Sequence, residues 1–196
     1  MPSSLEVQQY FIGVWRMMMG REDGMKLLDL SADGFWNSFF AIVVALPPMI
    51  VAWVGAANGI AGLDTFGTRL SLVSRLFVAD IGAWLLPLGM LALVSRMAGI
   101  ADRFVQYVVS SNWASALFAW VMLPPALLRL FAPFAEGLAA FLSLLLFAAT
   151  LFLFWRLTVV VIAKGVAVGS AVFFGMLVAS IAALLVLQGI LGLGYQ

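Results

Sequence analysis

The sequence predicts an all-α fold: a polytopic membrane helical bundle of five transmembrane helices, preceded by an N-terminal amphipathic interfacial helix. Composition is the first reason. Hydrophobic residues make up 65% of the chain and charged residues 10%, whereas a soluble domain carries about 25% charged residues, so the implied solvent is lipid. The mean hydropathy of +1.14 agrees. The second reason is a set of five apolar stretches, 36–57, 76–95, 113–131, 137–155 and 168–191, each near the ~20 residues that cross a bilayer core. Charge distribution is the third. Arg16, Arg21, Lys26, Arg96, Arg103, Arg156 and Lys164 fall on the side of the N-terminus, and only Arg69, Arg75 and Arg129 on the other. An excess of cations marks the cytoplasmic side, so the N-terminus is expected in the cytoplasm and the Leu-Gly-Tyr-Gln tail outside.

Residues 1–35 are expected to form a cytoplasmic amphipathic helix and connector, and 36–196 the five-span membrane domain. Over residues 5–19, Val7, Phe11, Val14, Trp15 and Met18 recur at helical spacing on one face, which identifies a burial face. That face suits a lipid-surface anchor with Tyr10 and Trp15 at headgroup level, or a helix packed under the bundle. Residues 20–24, with Arg21, Glu22 and Asp23, read as a solvated turn, and 25–30 as a short connector. Ser31 is suited to N-cap the first span, with Asp33 placed where a negative charge complements the helix dipole. Glu6, Gln8 and Gln9 interrupt any early apolar run, so no cleavable signal is expected.

The first and third spans share a plan. Trp36 and Trp113, Ser38 and Ser115, Val44 and Val121, Leu46 and Leu123, Pro47 and Pro124, and Pro48 and Pro125 recur in register. Each copy would be an outgoing helix with Leu-Pro-Pro and a returning helix, a parallel repeat. A true duplication and a chance match in apolar sequence both fit six identities. Proline lacks an N–H, so Pro47 and Pro48 free the carbonyls of Val43 and Val44, and Pro124 and Pro125 those of Trp120 and Val121. These breaks fall about 16 Å from each Trp, near mid-core, and Pro87 adds a third. Broken helices at this depth surround substrates in transporters, or the helices are bent simply to pack.

Asp80 is the one acid clearly inside a span, five residues or about 7 Å below its outer end by helical rise, and intramembrane acids are functional candidates. Arg75, on its own helix, or Arg129, at the end of the third span, could neutralise it; a structural ion pair and a proton relay both fit. Along the fifth span Ala167, Ala171, Gly175, Ala179 and Ala183 form a ladder of small residues at i, i+4, with Gly165 and Gly169 beside it. Such a ridge admits another backbone closely, whether from within the chain, from a second copy or from a membrane-protein partner.

The chain has no cysteine and no histidine, which removes the usual ligands of zinc, haem and iron-sulfur centres and the usual partner of a nucleophilic serine. The acids Glu22, Asp23, Asp29 and Asp33 show no metal-binding spacing. No enzyme activity and no cofactor are expected. The scattered cations form no patch for nucleic acid; membrane lipids are the expected partners.

The segment 101–113, Ala-Asp-Arg-Phe-Val-Gln-Tyr-Val-Val-Ser-Ser-Asn-Trp, is a basic-aromatic helix leading through Asn112 and Trp113 into the third span. It resembles bacterial members of the Yip1-like group, as do five spans with a cytoplasmic N-terminal segment. The resemblance implies a non-enzymatic membrane organiser of the bacterial inner membrane. The sequence thus leads to a scaffold or assembly component acting through helix packing, with a small-solute or ion transporter or channel component, using the proline-broken helices and Asp80, as the alternative. The orientation has a direct check: a Gly20→Cys variant in intact cells is expected to resist an impermeant maleimide and to react once the membrane is permeabilised, and strong labelling from outside would reverse it.

Overall fold

The computed structural model describes residues 1–59 and 65–193. Among the described residues every regular element is a helix. The α-helices are α1 (Ser4–Met18), α2 (Ala32–Ser38), α3 (Ala41–Gly59), α4 (Phe66–Val94), α5 (Phe104–Val121), α6 (Leu123–Phe131), α7 (Glu136–Ile162) and α8 (Val166–Ile190), with short 3-10 helices at Glu22–Leu27, Ala101–Arg103 and Pro133–Ala135. Five stretches are long and apolar enough to cross a membrane: Ala32–Asn58, Phe66–Val94, Ala101–Phe131, Glu136–Ile162 and Val166–Ile190. The expected outer tail lies outside the described residues from 194 onward, as do residues 60–64 of the loop between the first two stretches.

The helices extend beyond the apolar windows because hydrogen bonding and caps, rather than hydropathy, end a helix. Thr65 caps α4, its hydroxyl accepting from Thr68 N–H at 3.2 Å, so this helix begins well before residue 76 and carries Arg69 and Arg75 on its first turns. The chain between the fourth and fifth long stretches, expected to be a loop from 156 to 167, is a tight reversal instead. α7 runs to Ile162, Ala163 takes a left-handed φ of 51°, and Gly165, at φ 88°, caps α8. Glycine suits that conformation, since it has no Cβ to clash.

Ser31 does cap a helix, accepting from Gly34 N–H at 3.0 Å, but the helix it caps is the seven-residue α2. A turn at Phe39 and Phe40 separates α2 from α3. Hydrogen bonds from Ser31 hold the Asp29 carboxyl below the usual carboxylate range, keeping this connector's charge in place.

The long helices close into a ring in the order α3, α4, α8, α7, and then the α5–α6 pair, which returns to α3. Both hairpins of the proposed repeat are neighbours, and the last helix wedges between their returning arms. Small residues set the two contacts of α8. A Cβ on Gly82 of α4 would collide with the Leu187 side chain, and one on Gly169 would lie 2.7 Å from the Val159 Cα of α7. At the far end Arg75 donates to the Leu191 carbonyl at 3.3 Å, a cation on the unsatisfied carbonyls that end a helix.

At the N-terminal end α1 packs across α5 and α7, with Val14, Met17 and Met18 wholly buried. The segment 20–24, expected to be a solvated turn, leads into a 3-10 helix that lies on α1. Gly13 and Gly24 make this possible: a Cβ on either would meet the other's carbonyl oxygen. Trp113, expected to start a span at the interface, is 1% exposed. α5 begins nine residues earlier, and the Tyr10 ring lies 4.9 Å from that of Trp113. Its repeat counterpart Trp36 is 71% exposed, so the two copies of the motif occupy opposite environments.

Candidate functional site

The proline pairs behave differently in the two copies. Pro47 and Pro48 lie inside α3. Of the carbonyls they free, that of Val44 accepts from the Trp120 indole Nε1 at 3.0 Å, so α5 supplies the donor that the proline removes. In the second copy the helix ends at Val121, Met122 forms a turn, and Pro124 and Pro125 sit in the first turn of a new helix, α6. Proline is tolerated there because those N–H groups have no intrahelical partner in any case. The kink expected at equal depth in both copies is therefore an internal, side-chain-satisfied site in one and a helix boundary in the other.

A second polar link ties three elements together. Asn112 is fully buried. Its Oδ1 accepts from the Trp84 Nε1 of α4 at 2.9 Å, and its Nδ2 donates to the Ser38 Oγ at the end of α2 at 2.9 Å; Ser38 in turn donates to the Phe35 carbonyl at 2.7 Å. One amide thus uses both its donor and its acceptor between helices.

At the centre of the ring is a cavity of about 450 Å³ to which all five long stretches contribute. Its polar wall residues include Asp80, Tyr107, Ser111, Ser115, Thr150 and Ser180, and the remainder is largely aromatic and aliphatic. Each proline site adjoins it: Met49 follows Pro48, Leu88 follows Pro87, and Met122 precedes Leu-Pro-Pro. Trp84 faces the cavity while bonded to Asn112. Tyr107, also on the wall, is hydrogen-bonded with Thr158.

Asp80 sits midway along α4, about 21 Å from each end by helical rise. The ion pair anticipated with Arg75 or Arg129 does not form. Arg75 turns to the end of α8, Arg129 lies on α6, which packs on α3 and α7, and no Lys or Arg among the described residues is within ion-pair distance of Asp80. Its partner is neutral: the Trp53 Nε1 of α3 donates to Oδ2 at 2.7 Å.

The fifth-stretch ridge is split. Gly169 is buried against α7, whereas Ala167, Ala171 and Gly175 are exposed, and a Cβ on Gly175 would meet nothing within 4 Å. Gly165 serves as the turn residue before α8, and Ala179 is half-buried. The face of α8 turned inward is instead Phe173, Met176, Ser180 and Leu184.

Sequence reasoning placed Asp80 and the prolines but missed Trp53, Trp84, Asn112 and the hydroxyl residues of the wall. A signal for them exists. Asp80 and Trp84, Ser111 and Ser115, Thr150 and Phe154, and Ser180 and Leu184 each stand four apart, so each pair marks one face of its helix, and these faces converge. Among the described residues no group of three or more acids comes together to hold a metal ion. No family model, curated protein or solved structure matches this chain. What fold and site define together is an all-helical protein with five helices long and apolar enough to span a membrane, ringed around a cavity with one carboxylate.

The Asn112 link has a measurable energy. Asn112→Leu leaves the Trp84 N–H buried without an acceptor and is expected to lower unfolding stability in mild detergent by about 1–2 kcal/mol. Adding Trp84→Phe removes the stranded donor and is expected to recover part of that loss, a non-additivity that a double-mutant cycle reads directly.

Proposed function

We propose that the protein is an integral membrane component that binds a small, largely apolar solute at the centre of its helix ring, as part of a transporter or channel. The observation that carries this reading is the cavity of about 450 Å³ with Asp80 in its wall and, among the described residues, no Lys or Arg within ion-pair distance of it. Ligand sites are commonly about 300–1,000 Å³, mostly apolar, with a few placed polar groups. An acid inside a membrane is costly unless it serves a pathway or a partner. The interruption between α5 and α6 at the wall adds support, with the prolines inside α3 and α4 beside it, since discontinuous helices line the sites of transporters. The charge bias adds an orientation to the proposal, with the N-terminus cytoplasmic in a bacterial inner membrane and the C-terminus outside. For the test, the purified protein in mild detergent is expected to bind a small apolar fluorescent probe saturably, and Ser115→Trp, placed on the cavity wall, to weaken that binding at least tenfold with the protein still monodisperse. Equal binding by the two would remove the cavity from the mechanism.

A second reading is the scaffold or membrane organiser that the Yip1-like resemblance implies. It is favoured by one observation: Ala167, Ala171 and Gly175 of α8 are exposed, and a Cβ on Gly175 would meet nothing within 4 Å among the described residues, and small-residue faces join membrane helices. Gly175→Leu is then expected to shift the oligomeric or complex-bound state in mild detergent, and an unchanged state would count against that role.

A further inference from the structure

Resting on the cavity reading above, we infer that the solute is a small organic monocation, its charge met by Asp80 and its apolar groups by an aromatic wall. Charge is the first argument. Asp80 is the single carboxylate on the wall, and of its two oxygens Oδ2 is taken by Trp53 while Oδ1 accepts from no donor among the described residues. An anion in a low-dielectric cavity attracts a cation far more strongly than it would in water, and with one carboxylate the complementary charge is one.

The rest of the wall argues that this cation is organic. A bare divalent ion carries two charges and takes six or more oxygen ligands, whereas the wall offers a single carboxylate. What the wall offers instead is aromatic surface. Phe118, Phe154 and Phe173, from α5, α7 and α8, form a continuous set with ring centroids 6.0 and 6.4 Å apart, and Trp84 lies one helical turn from Asp80 on the same face. Aromatic faces attract quaternary and other weakly hydrated ammonium groups through the ring quadrupole, most strongly where water is excluded. A carboxylate that shares its cavity with aromatic surface therefore favours a cation that has shed its water over one that keeps it.

Equilibrium dialysis of the full chain in non-ionic detergent, against protein-free micelles, separates the possibilities. The probes are benzyltrimethylammonium and its carbon isostere neopentylbenzene, which share a shape and differ in charge. The wild-type protein is expected to bind the ammonium at least tenfold more tightly than the isostere, and Asp80→Asn to lose at least tenfold in ammonium affinity while retaining the isostere unchanged. Equal binding of both probes, unaffected by Asp80→Asn, would overturn the cation inference and leave the cavity reading standing. Binding of neither probe by the wild type would overturn both. Should Asp80→Asn lose both probes, Asp80→Glu decides: it keeps the charge and is expected to bind the ammonium, and its failure to do so would overturn the inference.

Discussion

Inside an apolar surround a polar group has no water to fall back on, and the hydrogen bonds that answer this constraint arrange the bundle. Asn112 is the central case. Its amide can be satisfied in only one arrangement of its neighbours, with Trp84 of α4 on one side and Ser38 of α2 on the other. A purely apolar contact among these elements would tolerate sliding or rotation, since apolar attraction is not directional. The amide fixes depth and register together. Trp120 does the same for the second contact between the copies, because the carbonyl it satisfies exists as an unpaired group only on account of Pro48.

The cavity follows from this arrangement. Five helices in a ring leave more space along their common axis than side chains of ordinary size fill, and here the inward positions include Ala83, Ser111, Ser115 and Ala119. Where the bundle does close, it closes on glycine: Gly82 receives Leu187 and Gly169 receives Val159, drawing α8 against α4 and α7. At the N-terminal end α1 and its glycine-packed 3-10 turn seal the ring, with Tyr10 and Phe11 around Trp113. Lys164 adds a clasp there, bonded to the Gly99 carbonyl and paired with Asp102 at 2.7 Å.

Asp80 gains its meaning from what surrounds it. The cation one helical turn and a half away in sequence, Arg75, is drawn to the far end by the open carbonyls of α8, so the two charges on one helix answer to different neighbours. Trp53 holds the Asp80 carboxyl in place through a short hydrogen bond from a neutral donor.

The sequence by itself determined the class of structure: apolar stretches of sufficient length, few charges, and prolines whose missing donors must be made good. These are properties of composition and local covalent chemistry, legible residue by residue. It also exposed Asp80, because a carboxylate is conspicuous in such a stretch. The tertiary structure alone decided how the polar groups pair. Trp113 stands first in the apolar stretch 113–131 and so reads as the start of a span; it is buried because α5 begins earlier and packs under α1, with Trp84 and Ser38 meeting Asn112 and Thr158 meeting Tyr107. The Leu-Pro-Pro copies look alike in sequence and differ in structure for the same reason, since only one of them has a tryptophan delivered to its freed carbonyl. Helix length and polarity are local quantities; the partner of a buried polar group is set by which helices lie side by side.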